Sequence, residues 1–333
     1  MTRIFSGIQP TGQKHLGNYI GAITQWVAGQ DRGEAIYCVV DLHAITVAYD
    51  PVALRSTVYD TTAFLLAAGL DPARCILFRQ SDVPEHTELT WLLAGVTELG
   101  RLQRMHQFRD KSLAQRELVS AGLLFYPVLQ AADVLAYRAD EVPVGEDQRE
   151  HLELMRDVAR RANARFGEGL LVVPEHRIPA VGARIMDLQS PDRKMSTSSE
   201  SPHGTVYVLD GPDVIVRKFR SAVTDSGREI ATGPGKEGIA NLLEILAAVR
   251  GASIDEVQSE FNGAGYGAFK QAVADAVVDY LAPVRERYQR LREDEPELER
   301  LLAVGADKAR RIASTTLADV RAAMCVGPVR PTR

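Results

Sequence analysis

The residues best placed to do chemistry near the start of the chain lie in Ser6-Gly7-Ile8-Gln9-Pro10-Thr11-Gly12-Gln13-Lys14-His15-Leu16-Gly17-Asn18-Tyr19. Gly7, Gly12 and Gly17 permit tight turns and close approach of backbone to a ligand. A helix beginning at Asn18 would turn its amides and the positive end of its dipole toward a phosphate. His15 and Asn18 can donate hydrogen bonds from the same turn. The segment therefore reads as a nucleotide cradle with neutral or weakly cationic donors. Its spacing matches neither GxGxxG nor the P-loop pattern, which excludes the ordinary dinucleotide and P-loop fingerprints. On spacing alone, turn glycines beside a surface histidine are an equal reading.

A second constellation begins at Tyr126-Pro127-Val128-Leu129-Gln130-Ala131-Ala132-Asp133. Tyr126, Gln130 and Asp133 fall at i, i+4 and i+7, on one helical face. Pro127 suits a first helical turn, which moves the expected helix start from Leu123 toward the proline. Asp133 lies between apolar stretches, so it is expected to be partly buried and to need a donor. Two readings stay open: an acid paired with an arginine, or recognition of a small polar group in an apolar slot. Two lysines are candidates for an anionic ligand. Lys111 follows Phe108-Arg109-Asp110, where most of the charge reads as solvated face. Lys194 lies in Asp192-Arg193-Lys194-Met195-Ser196-Thr197-Ser198-Ser199-Glu200, which by composition reads as a linker.

Together these segments resemble one family. SGIQPTG followed by HLGN resembles the first signature of class I aminoacyl-tRNA synthetases, the HIGH motif, in the form seen in tryptophanyl-tRNA synthetases. His15, Leu16, Gly17 and Asn18 hold its four positions. GLLFYPVLQAADVLAY and VPVGEDQREHLEL carry the same resemblance. KMSTS, after GARIMDLQSP, resembles the second signature, KMSKS; Thr197 stands where many members have a second lysine. SAVTDSG and GYGAFK extend the match over nearly the whole chain.

The resemblance implies an α/β fold: a Rossmann-like parallel sheet with covering helices, plus a helical tRNA-recognition domain. It implies activation of L-tryptophan by ATP to the adenylate and pyrophosphate, then transfer to the 3′ end of tRNA(Trp). It assigns catalysis to His15, Asn18, Lys111, Lys194, Ser196 and Ser198. It places ATP against Gln9, Pro10, Thr11, Gly17 and Asn18, against Gly145, Glu146 and Asp147, and against Ile185, Lys194, Met195, Ser196, Thr197 and Ser198. Tryptophan falls to Phe5, Gly7, His43, Tyr126, Gln130, Asp133, Val144 and Gln148, with Asp133 accepting the indole N–H. Gln130 departs from the methionine common in relatives, and His106 from a usual threonine. Mg²⁺ is expected to bind through the ATP phosphates, with no metal site in the chain itself. The expected partners are tRNA(Trp), tryptophan and a second copy of the chain in a homodimer, in the cytoplasm, with neither membrane nor DNA. The alternatives are a tyrosyl-type synthetase, or a catalytically weak paralogue with a regulatory or tRNA-binding role. Physically, a buried carboxylate left unpaired penalises phenylalanine heavily, whereas tyrosine must also be excluded by shape.

The rest of the chain must position these residues. Its 333 residues, 45% of them hydrophobic, suit two domains with a sizeable core. A net charge of −5 excludes a general nucleic-acid coat but not one nucleic-acid partner met by a local basic patch. Cys38, Cys75 and Cys325 form no CxxC, which fits a reducing cytosol and argues against a thiolate zinc site. MTRIFSG has no signal-peptide shape, and no run reaches the roughly 18 apolar residues of a membrane span. Strands are expected at Arg3 to Ser6, Ala35 to Val40 and Arg74 to Phe78, with a further candidate at Leu170 to Val173. Helices are expected at Tyr19 to Gln30, Pro51 to Ala68, Thr87 to Leu99, Leu123 to Ala139 and Glu146 to Phe166. Later helical territory covers Glu237 to Val249, Tyr266 to Leu291 and Glu297 to Met324, with Gly305 a possible break. Strands alternating with helices predict a parallel sheet. The expected division is a catalytic domain, 1–195, ending in the KMSTS loop. A helical anticodon-recognition domain, 196–300, follows, and a last helix, 301–333, returns to the first domain. Arg285 to Arg292 and Lys308 to Arg311 are candidate tRNA contacts or ordinary mixed-charge helix faces.

Overall fold

Short apolar strands linked by helices must run parallel, because each crossover brings the chain back to the same end of the sheet. The computed structural model describes residues 2–108, 119–143, 148–177, 184–196 and 201–327. Its five strands are β1 (Arg3–Ile8), β2 (Glu34–Val39), β3 (Cys75–Arg79), β4 (Glu141–Pro143) and β5 (Glu175–Arg177). They are all parallel, in the order β3-β2-β1-β4-β5. Alternate side chains of one strand feed two cores. Ile36, Cys38 and Val40 join Phe5, Phe78, Val128 and Leu152 on one face. Ala35, Tyr37 and Val39 join Leu16, Leu65, Ile185 and Met195 on the other.

The covering helices begin with α1, a continuous run of Leu16–Asn18, a π-helical turn Tyr19–Ile23 and Thr24–Gly29. Then come α2 (Asp41–Ala44), α3 (Pro51–Ala68), α4 (Glu85–Ala94) and α5 (Leu99–Arg104). After these, α6 is Ala121–Leu135 and α7 is Arg149–Phe166. The helical remainder is α8 (Pro212–Arg220), α9 (Glu237–Arg250), α10 (Ile254–Glu260), α11 (Tyr266–Arg292) and α12 (Glu295–Ala323). The long α11 packs on α8, α9 and α3, joining the helical part to the sheet's flank.

Three expectations are corrected. The strand after α7 is Glu175–Arg177, not Leu170 to Val173; its first residue is held by Glu175 N donating to the Asp140 carbonyl at 2.7 Å. Helix α6 starts before Pro127, because Ser120 caps it: the Ser120 hydroxyl accepts from Leu123 N at 3.1 Å. Pro127 therefore sits inside the helix. Gly305 does not break α12. It lies where α12 crosses β3, and a Cβ there would stand 1.8 Å from the Leu77 carbonyl oxygen. The glycine serves close approach to the sheet rather than a turn.

The strand order turns at β1, with β2 on one side and β4 on the other. Ligands in open parallel sheets bind outside the strand ends at such a switch point.

Candidate active site

At that point lies a cavity of about 470 Å³, walled by residues from β1, β4, α2, α6 and α7. It brings together Phe5, Gly7, Gln9, His43, Tyr126, Gln130, Asp133 and Gln148, widely separated in sequence. Trp26, Val40, Val142 and Met155 add apolar wall, so the space suits an apolar body met by a few polar groups. The Gln130 amide donates to Gln148 Oε1 at 3.4 Å across the cavity edge. Tyr126 donates to Gln107 Oε1 at 3.2 Å and stands 2.8 Å from His151 Nε2. Burial, aided by the charge of Glu150, pushes the Tyr126 hydroxyl up to about 12, so it stays protonated at neutral pH.

Asp133 is 1% exposed. Among the described residues its partners are two histidines and a glutamine rather than an arginine. Oδ2 is 2.8 Å from His43 Nε2; Oδ1 accepts from Gln80 Nε2 at 2.6 Å and lies 2.5 Å from His86 Nδ1. Burial opposes ionisation, but the charge and hydrogen bonds of His43 and His86 outweigh it, and the carboxyl is held well below its ordinary range. A carboxylate has about four acceptor positions. Three are taken by these described residues, which leaves one, on Oδ2, for a ligand donor.

The glycine turn closes as a reciprocal cap. His15 Nδ1 accepts from Asn18 N at 3.2 Å, and Asn18 Oδ1 accepts from His15 N at 3.4 Å. Because Nδ1 accepts, the ring proton sits on Nε2, which makes His15 a neutral donor. Burial, with the nearby charges of Lys194 and Lys14, lowers its pKa to about 4. The expectation of free amides from Asn18 onward needs narrowing. Helix α1 begins at Leu16, whose amide donates to the Val206 carbonyl at 2.8 Å, and Tyr19 N returns to His15 O at 3.1 Å. Gly17 is left as the first-turn amide able to meet a phosphate. Its missing Cβ matters, since one there would stand 3.2 Å from the His15 ring and 3.4 Å from Ile185. Lys14 Nζ donates to the carbonyls of Gln9 (3.2 Å) and Thr11 (2.9 Å), folding the loop onto itself. Pro10 is buried within that loop.

The lysine loop approaches this turn as a strap over 184–196. Met195 N donates to Ile185 O at 3.1 Å and Asp187 N to Arg193 O at 2.8 Å, so the strap folds back as a narrow ladder. Ile185 and Met195 are each 1% exposed, in the same core as Leu16. Lys194 is exposed. The Ser196 carbonyl accepts from Thr205 Oγ1 at 2.7 Å. Helix α9 holds the strap from behind. Asn241 exchanges two bonds with the Met186 backbone, at 2.8 and 3.0 Å, and Glu244 accepts from Arg184 N at 2.9 Å. Buried Lys218 bonds the Thr205 carbonyl and Asp210, both at 2.7 Å, and fixes the segment that pairs with His15.

Lys111, Val144, Gly145, Glu146, Asp147, Thr197 and Ser198 lie outside the described residues. Sequence reasoning missed Gln80, His86 and Asn241. Each is polar and nearly fully buried in an otherwise apolar setting, but this becomes visible only once the fold is known. Of the basic candidates, Arg292 pairs with Asp60 and Glu295, Lys308 Nζ donates to the Pro72 carbonyl, and Arg310 bonds Asp307 and the Asp82 carbonyl.

Known proteins resemble the chain over most of its length. The family model "tRNA synthetases class I (W and Y)" matches residues 1–282. The chain is similar to tryptophan–tRNA ligase 2 of Streptomyces avermitilis, with 51% identity over 318 residues, 95% of this chain and 94% of the relative. The solved tryptophanyl-tRNA synthetase of Mycoplasma pneumoniae has a TM-score of 0.87 at 36% identity, covering 98% of both chains. That of Campylobacter jejuni, complexed with ADP and tryptophan, has a TM-score of 0.85 at 32% identity, covering 98% of this chain and 100% of its own.

Proposed function

The chain belongs to the class I tRNA synthetases for tryptophan and tyrosine, and we infer that it is a tryptophan–tRNA ligase. The observation that carries this is the acceptor position on Asp133 Oδ2 that the described residues leave open in an apolar cavity, at the strand ends where the HLGN turn and the lysine strap converge. The indole lies between Phe5, Val40 and Val142, with its N–H on Asp133 Oδ2. Tyr126 and Gln148 face the ammonium end. The tryptophan carboxylate then attacks the α-phosphorus of ATP, and pyrophosphate leaves with the bond electrons. No protein nucleophile is needed; alignment and charge supply the rate. Gly17 N, the neutral His15 Nε2–H and Asn18 donate toward the phosphates, while Lys194 and Lys111 add positive charge. A hydroxyl of the terminal ribose of tRNA(Trp) then attacks the acyl carbon of the adenylate, and AMP leaves.

Mg²⁺ is assigned to the ATP phosphates, as the family resemblance implies. Bound there, it supplies further charge for the leaving pyrophosphate. The proposed division is a catalytic domain, 1–195, a helical part, 196–300, that reads the anticodon, and a C-terminal segment, 301–333, which continues the helix begun at Glu295. A second copy covers exposed apolar side chains such as Trp91, Ile45 and Val119, the last two lying in neighbouring segments. Trp91 is 76% exposed, and Ser120 Oγ ties the neighbouring segments by donating to Thr46 O. No helix among the described residues is long and apolar enough to cross a membrane, and the enzyme is assigned to the cytoplasm.

The test is ATP–pyrophosphate exchange with each aromatic amino acid, followed by charging of tRNA(Trp). Tryptophan alone should drive both. Exchange driven equally by tyrosine would overturn the reading. Lys194→Ala exchanging at the parent's rate would remove Lys194 from the phosphate site.

A further inference from the structure

The mechanism above uses Asp133 but not the polar residues behind it. Gln80, His86 and Tyr137 are each 0% exposed, and none lines the cavity. Burying three such groups costs stability unless each is satisfied, and here they satisfy one another in a fixed sense. Gln80 Oε1 accepts from Leu42 N at 3.1 Å, which turns its amide nitrogen toward Asp133. His86 Nδ1 faces a carboxylate, which only accepts, so the ring proton is on Nδ1. On the far side of the ring His86 Nε2 shares a hydrogen bond 2.6 Å long with the Tyr137 hydroxyl. Burial and the neighbouring Cys38, Asp133 and Glu85 hold the Tyr137 hydroxyl well above its ordinary range, so it keeps its proton. The Tyr137 ring stacks on Phe5, a cavity wall, with centroids 5.5 Å apart.

We propose that Tyr137, His86 and Gln80 are positioning residues for amino-acid specificity: they saturate Asp133 Oδ1 and fix the carboxylate, so that Oδ2 alone is presented beside His43 to the ring N–H of the substrate. This rests on the reading of the cavity as the tryptophan site. The Gln80 amide and His86 Nδ1–H both donate to Oδ1, and an ionised carboxylate accepts at every position. A ligand without a ring donor leaves Oδ2 with an unfilled position in a dry site and is rejected. Without His86 the carboxylate loses a charge-assisted bond on the side away from the ligand. It is then free to rotate or to draw water, and the penalty on the donor-less ligand falls.

The experiment compares tryptophan with 3-(benzothiophen-3-yl)alanine, in which sulfur replaces the ring N–H, in ATP–pyrophosphate exchange. The parent should prefer tryptophan in kcat/KM by roughly 10- to 100-fold, the worth of one hydrogen bond to a charged acceptor. Tyr137→Phe keeps the ring packing and should cut that preference several-fold through the KM for tryptophan. His86→Leu should bring it to within about threefold of unity, with the analogue's constants and the KM for ATP within about twofold of the parent. His86→Asn, whose amide nitrogen stands near the position of Nδ1, should restore most of the preference. If both amino acids lose activity in the same proportion, the three residues only support the fold and the proposal fails. An unchanged preference in Tyr137→Phe also overturns it, whether or not His86→Leu folds. A parent that does not activate tryptophan refutes the functional reading instead, which keeps the two failures distinct.

Discussion

Asn241 lies in the helical part of the chain, yet both of its amide groups are spent on one backbone unit of the strap that carries Lys194. Replacing it with leucine keeps the volume and removes both bonds to Met186, 2.8 and 3.0 Å long. Each neutral bond contributes about 0.5–1.5 kcal/mol net, and each backbone group left unsatisfied adds about 1–3 kcal/mol. Met186 is only half-buried, so the strap can shift to recover water and convert part of that cost into displacement. The expected loss of global stability is therefore about 2–4 kcal/mol, and the remainder appears as a misplaced strap. A shift of about 1 Å in a catalytic group costs on the order of 100-fold in rate. In ATP–pyrophosphate exchange, Asn241→Leu should lower kcat about 10- to 100-fold and raise the KM for ATP. Tryptophan affinity, measured by calorimetry without ATP, should hold, because Asn241 does not line the cavity. Glu244→Gln, which retains an acceptor for Arg184 N, should stay close to the parent. Parental kcat and KM for ATP in folded Asn241→Leu would refute the reasoning, as would a loss of tryptophan affinity as large as the loss of rate.

Gly305→Ala places a Cβ 1.8 Å from the Leu77 carbonyl oxygen and 2.7 Å from its carbon. Both sides are backbone, so α12 must retreat, and the loss should exceed about 3 kcal/mol despite alanine's roughly 1 kcal/mol better helix propensity; a urea midpoint at or above the parent's would contradict this. Stability should also fall with acid at His15. Its neutral form is favoured in the fold, with the pKa lowered from 6.5 to about 4. Above pH 6.5 the ring is neutral in both states, and its stability contribution is fully present. Between pH 6.5 and about 4 the unfolded chain takes up a proton that the fold refuses, and up to about 3 kcal/mol is lost before the effect levels off. His15→Asn keeps a side-chain cap but cannot titrate, so its stability should change less across that window in urea melts; an identical slope would sink the assignment.

The parts of the fold legible in the sequence were those set by local pattern. Strands β1 to β3 are short apolar runs, and α3 has Asp50 as its cap and Pro51 in its first turn. The weaker placements share one physical origin, since their limits are set by partners remote in sequence. Strand β5 reads Glu-His-Arg and has no apolar signature; it is a strand because β4 pairs with it. Pro127 read as a helix start because a proline's cost inside a helix is local, whereas the stabilising face of α6 is tertiary, with Leu123, Val128, Val134 and Leu135 all buried. The site divides in the same way. His15, Asn18, Lys194 and Asp133 stood out because motif spacing marks them. Gln80 and His86 did not, because a buried polar residue is conspicuous only against its packed surroundings.

One consequence concerns the end of β3. Arg79 is held by Glu299 at 2.8 Å, the Gln80 amide holds Asp133 at 2.6 Å, and Ser81 Oγ donates to Asp41 at 2.5 Å. Three consecutive residues thus reach the last helix, the buried carboxylate of Asp133 and the helix that bears His43. Gly305 lets α12 lie directly on the strand from which they project. Docking of the C-terminal helix and the aim of Asp133 are therefore set by one short piece of backbone. The C-terminal helix, expected from the sequence to return to the first domain, is through Leu77 to Ser81 part of the wall behind the cavity.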